Sequence, residues 1–152
     1  MAASVRFTTE ADIRHVASRL QPACLREIQA LGHQDPMPPL MEGLRSGKIT
    51  LTAEDAEEPF CVFGVAPSPY PSVGMVWMVN TPRMLRHRRQ FIREGNLWLP
   101  ALHAFYPTLG NIVHAENTDH IRWLDRLGFT LIQTLTLRGE AFISFSRTTR
   151  RV

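Results

Sequence analysis

Asn111-Ile-Val-His-Ala-Glu-Asn117-Thr-Asp-His-Ile-Arg-Trp-Leu-Asp-Arg-Leu-Gly128-Phe129 carries the deciding pattern of the chain. Ile112, Val113 and Ala115 read as a buried strand that ends in a polar junction. Asn117 or Thr118 then suits a helix N-cap, because a short side-chain oxygen accepts from an amide the helix leaves unpaired. Ile121, Leu124 and Leu127 recur at helical spacing and give the inner face of a short helix. Gly128 falls where helices commonly end in a left-handed residue.

On the C-terminal side, Thr130 to Leu137, a turn at Arg138-Gly-Glu140, and Ala141 to Phe145 predict a hairpin. On the N-terminal side, Pro82 opens a long helical region. Met84, Phe91, Trp98, Leu102 and Phe105 form its stripe, and Gly95-Asn96 with Pro100 predict a kink. Gly74 to Val79 is strongly apolar and reads as a central strand. Before it, Ile49 to Thr52 and Phe60 to Val65 read as strands joined by the acidic turn Glu54-Asp-Ala-Glu-Glu58. Pro67-Ser-Pro-Tyr-Pro71 is too proline-rich for a ladder and predicts a surface connection. Pro36-Met-Pro-Pro39 predicts a loop, with a single helical turn at Leu40 to Leu44. Val5 to Thr8 alternates as a first strand, and Thr9 with Asp12 resembles a capping pair. Ile13, Val16, Ala17 and Leu20 mark a helix face; Pro22 opens a second helix that Gly32 closes.

A chain of 152 residues predicts one domain over 1–152 with a sizeable core. No apolar run reaches the roughly 18 residues of a membrane span. The opening Met-Ala-Ala-Ser-Val-Arg lacks the charged-then-apolar order of a signal peptide. Cys24 and Cys61 have no metal or redox spacing and read as buried free thiols. The six histidines form no ligand pair, so no metal site is expected. Lys48 is the only lysine among 17 basic residues, and arginine is concentrated at Arg83, Arg86, Arg88, Arg89 and Arg93. Helical spacing gathers Arg86, Arg89 and Arg93 on one face, which suits phosphate or carboxylate. Arg147, Arg150 and Arg151 form a second cluster. Glu116, beside His114 at the strand end, is a weak candidate for a general base.

The order is strand, two helices, three strands, helix, strand, helix, two strands. This order, with the Asn117 to Phe129 segment, resembles the GNAT acyltransferases over essentially the whole chain. The resemblance implies an α+β, three-layer fold: a mixed, mostly antiparallel sheet flanked by helices. GNAT enzymes carry an Arg/Gln-x-x-Gly-x-Gly/Ala loop for the CoA pyrophosphate, which falls here at Arg83-Met-Leu-Arg86-His-Arg88. Both glycine positions are arginine. The family's Asn, Tyr, Gly-Phe pattern is met by Asn117, Gly128 and Phe129, but Leu124 occupies the tyrosine position.

The run Asn117-Thr-Asp-His-Ile-Arg-Trp-Leu also resembles the small GNAT-like internal virion proteins of short-tailed phages, the internal virion protein A family. That resemblance implies a virion-associated or assembly protein without acetyltransferase activity or cofactor. Its partners would be other phage virion proteins, with possible weak nonspecific DNA contact, and its location the virion or host cytoplasm. The alternative is an acyl-CoA-dependent N-acyltransferase with an atypical pyrophosphate loop. Acetyl-CoA or CoA would then be held by Val79, Arg83, Arg86, Arg88 and Asn117, with Glu116 receiving the amine proton.

Overall fold

The computed structural model describes residues 2–149, so Arg150 and Arg151 of the second arginine cluster lie outside the described residues. A seven-stranded sheet runs in the order β1-β2-β3-β4-β5-β7-β6. Its strands are β1 (Ser4–Phe7), β2 (Ile49–Glu54), β3 (Pro59–Pro67), β4 (Val73–Asn80), β5 (Thr108–His114), β6 (Thr130–Leu137) and β7 (Glu140–Thr148). All seven follow apolar or alternating runs legible in the sequence. Every pairing is antiparallel except β4 with β5.

The helices are α1 (Glu10–Ala17), α2 (Pro22–Ala30), α3 (Met37–Ser46), α4 (Arg88–Arg93), α5 (Gly95–His103) and α6 (Thr118–Arg126). Thr9 and Asp12 close a full capping box on α1. Gly32 after α2 and Gly128 after α6 both adopt positive φ, at 102° and 89°, as stop residues should. The sheet separates two apolar clusters. One packs Ile13, Val16, Ile28 and Leu40 of α1–α3 on Val62 and Val79. The other packs Phe91, Trp98, Leu102 and Trp123 of α4–α6 on Phe63, Val65, Val113 and Phe145.

Three local expectations need correction. The Pro36–Pro39 run is not a loop, because Pro38 and Pro39 lie in the first turn of α3, where no intrahelical N–H is required. The long helix after Pro82 is three pieces: a 3₁₀ turn at Pro82–Arg86, then α4, then α5. Arg86 therefore sits on a different element from Arg89 and Arg93, and the three do not share one helix face. Asn117 occupies the N-cap position of α6, but its side chain forms no cap hydrogen bond.

Candidate active site

The parallel pair β4·β5 is short. Its register covers only Val73↔Thr108, Gly74↔Leu109 and Met75↔Gly110, and beyond these the strands diverge into a fork. Asn111 closes the apex. Its Nδ2 donates to the Val76 carbonyl at 2.8 Å, while its Oδ1 accepts from the Ile112 amide at 2.8 Å. The amide thus replaces the ladder bonds that divergence removes, as buried backbone groups require.

Further along the β5 edge, the His114 amide donates to Glu27 Oε1 at 2.7 Å. On the β4 edge, the Asn80 carbonyl accepts from the Gln21 amide at 2.9 Å. Backbone groups alternate sides along a strand. Since Val76 and Asn80 face the fork, the Met78 amide and carbonyl between them face it too. No side chain or loop among the described residues bonds to them. Val79 instead directs its peptide groups toward β3, opposite Val62, and lends only its side chain to the fork.

A cavity of about 400 Å³ lies at the fork and is lined by residues from both faces of the sheet. Glu27, Ile28 and Leu40 line it on one side, and Leu99, Trp123 and Leu124 on the other. Glu27 is half-buried on α2. Burial pushes its carboxyl above the ordinary value, partly offset by the His114 amide and by the nearby Asn117 side chain. The Asn117 amide is itself buried, and its Nδ2 closes no hydrogen bond of normal geometry. His120 also reaches the cavity, with Nε2 donating to Asn80 Oδ1 at 2.7 Å. Asn80 uses its own Nδ2 on Thr81 and Gln21, so its oxygen is the acceptor in this contact. Burial pulls the His120 value down to about 4, leaving a neutral imidazole. Cys24 is buried beside the same Asn80 oxygen, and burial raises its thiol to about 12, so it remains protonated.

The residues nominated from sequence fall in different places. Val79 lines the cavity and Asn117 lies next to Glu27. Glu116 does not line it: its side chain is 73% exposed and sits 4.0 Å from the Arg26 guanidinium. Strand β5 ends at His114, so the alternation that would aim Glu116 inward stops before reaching it. Arg83 is held by the β2–β3 turn, with Nε 2.6 Å from Asp55 and its terminal nitrogens 2.8 and 3.4 Å from Glu57 and Glu58. His87 stacks on Phe60 at 4.5 Å and bonds Asp55 at 2.9 Å, completing that anchor. Burial pushes the Asp55 carboxyl up, but the Arg83, His87 and backbone donors together hold it well below the usual range. Arg86 and Arg88 are exposed and form no ion pair among the described residues.

No protein-family model and no curated protein sequence matches the chain. Solved structures do. A GNAT-family acetyltransferase from Bacillus anthracis matches with a TM-score of 0.71 and 9% identity, over 97% of this chain and 95% of that one. AAC(6')-Ib in complex with ribostamycin and coenzyme A matches at 0.69 and 13%, over 97% and 94%. A spermidine N-acetyltransferase chimera of Vibrio cholerae SpeG and hSSAT matches at 0.65 and 11%, over 97% and 96%. The fold is that of the GNAT N-acetyltransferases.

The GNAT likeness corrects the virion reading. These structures match nearly the full chain and are described as acetyltransferases or hold coenzyme A, and none is described as a phage or virion protein. The Asn117–Leu124 run that suggested a virion protein is the N-cap and the first turns of α6, an element of the matched fold. The expectation of no cofactor loses its ground with it, since AAC(6')-Ib is solved with both coenzyme A and acetyl-CoA.

Proposed function

We propose that the chain is an acyl-CoA-dependent N-acyltransferase. The observation that carries this reading is the open fork: an unpaired β4 edge at Met78 beside an apolar passage, with the partly buried carboxylate of Glu27 at its rim. A bound acyl-CoA supplies the activated thioester. The Met78 amide and carbonyl fit the amides of its pantetheine arm as one added strand fits a sheet edge. Arg86 and Arg88 are exposed cations after β4 that suit its phosphates. With arginine in place of both loop glycines, the grip comes from side chains rather than backbone. Arg83 positions this loop instead of meeting the ligand, because three carboxylates already hold it.

Glu27, not Glu116, is the base in this reading. Its raised value favours taking a proton from the attacking amine near neutral pH, and the His114 amide fixes its orientation. Leu124 lines the passage where a tyrosine acid would stand, so the departing thiolate takes its proton from water.

The test is transfer from acetyl-CoA to a panel of amines, followed by release of free thiol. Glu27→Gln should lower kcat/KM by about 100-fold while calorimetric affinity for acetyl-CoA stays unchanged. Absence of binding of any acyl-CoA, short or long, to the unaltered chain would refute the proposal.

A further inference from the structure

The cavity is larger than an acetyl donor requires. A pantetheine arm in the fork lies between β4 and β5, yet the lining extends to Phe63 on β3 and Phe145 on β7, the strands flanking that pair. The strands that carry these two residues stand three spacings apart, about 14 Å. Under α5 and α6 the chamber is walled by Phe63, Trp98, Leu102, Leu127, Phe129 and Phe145, all apolar or aromatic. Native cores rarely leave voids much larger than a water molecule, and an apolar space of this size forfeits contacts along its whole wall. Its walls are mostly apolar among the described residues; the buried Trp98 indole N–H, which has no partner, is the polar atom they contribute.

We propose that this chamber receives the hydrocarbon tail of a medium-chain acyl thioester, so that the donor is a fatty acyl-CoA of about eight carbons rather than acetyl-CoA. The inference rests on the acyltransferase reading. In the transfer, the amine nitrogen forms a bond to the thioester carbonyl and the carbon–sulfur bond breaks. The amine proton passes to Glu27, the CoA thiolate leaves with the sulfur electron pair, and an N-acyl amide remains. The tail takes no part in the bond changes and contributes only burial.

All three tryptophans of the chain, Trp77, Trp98 and Trp123, line the cavity, so intrinsic fluorescence reads its occupancy directly. The experiment titrates the full chain with CoA thioesters of two to twelve carbons, following fluorescence and heat. Each buried methylene is worth about fourfold in affinity. Octanoyl-CoA should therefore bind at least tenfold tighter than acetyl-CoA, with affinity levelling off once the chamber is full. Val113, on β5 and facing the same chamber, provides the control. Val113→Phe should remove the preference for longer chains while acetyl-CoA binding persists. If this variant unfolds, the affinity series on the unaltered chain decides alone. Acetyl-CoA binding with no gain for longer chains would overturn the chain-length inference and leave the acyltransferase reading standing. A preference that survives in folded Val113→Phe would mark surface adsorption and overturn the inference as well. No binding of any thioester would remove both.

Discussion

Two carboxylates compete for the catalytic position, and their environments separate them. Glu116 follows the strand His114 ends, and it is 73% exposed against Arg26. Glu27 lies far away in sequence, on α2, and reaches the fork only because α2 packs against the end of β5. Nothing local in Cys24-Leu-Arg-Glu27-Ile28 signals that meeting, since a glutamate beside an apolar helical stripe reads as a solvated flank. Asn117, by contrast, was visible as a helix-start residue, although its side chain serves the Glu27 environment rather than the cap. His120 allows a prediction at this scale. Its folded value is depressed to about 4 by burial, against an ordinary value near 6.5. As pH falls, the unfolded chain takes the proton first. The stability due to the neutral ring is therefore whole above about 6.5 and drains away down to about 4. The loss across this window amounts to about 3 kcal/mol at most. His120→Gln keeps a donor for Asn80 and should flatten that slope in denaturant unfolding measured from pH 7 to pH 4. An unchanged slope would show that His120 is not the group responsible.

Strands were easier to read than helices at the scale of elements, for a physical reason. Each strand here is a short apolar or alternating run bounded by turn residues, and the period of two survives small errors at the ends. Helix extent depends on context that the pattern lacks. Prolines at 38 and 39 are compatible with a first turn as well as with a loop, and only the packing of Leu40 against the α1 cluster selects the helix. The segment after Pro82 keeps its apolar stripe through a break, because Met84, Phe91, Trp98 and Leu102 all face the same sheet. The fork depends on a small residue in β4. A Cβ at Gly74 would overlap the ring of Tyr106 and a methyl of Val65, inside one of only three paired positions at the base of the fork. Gly74→Ala should destabilise the protein by about 1–3 kcal/mol through overpacking. Thermal unfolding should register this as a fall of roughly 4–10 °C. A loss of under one degree would mean that Tyr106 swings aside freely and the base of the fork is soft.

For the molecule as a whole, the sheet is continuous at one end and divided at the other, and the Asn111 side chain bonds across the transition. The order of elements, through its resemblance to the GNAT fold, made this architecture legible from sequence. The size of the opening was not, because it depends on how α2, α5 and α6 settle on either side of two diverging strands. Asn111 is where that global geometry can be tested. Its amide supplies one donor to Val76 and one acceptor to Ile112, so the strands separate without leaving either group unpaired. Asn111→Leu preserves size but removes both bonds, leaving an unpaired carbonyl and an unpaired amide at the apex. Each costs about 1–3 kcal/mol if it remains dry. The expected result is a substantially lower denaturation midpoint with an unchanged denaturant slope, since the surface exposed on unfolding is the same. Acyl-CoA should recover part of the loss, because a ligand that binds only the folded state stabilises it by mass action. The recovery should be smaller than in the unaltered chain, because the loosened apex no longer presents the β4 edge in a fixed position. Equal recovery in both proteins would place the binding determinants away from the fork and count against Met78 as the edge that meets the ligand.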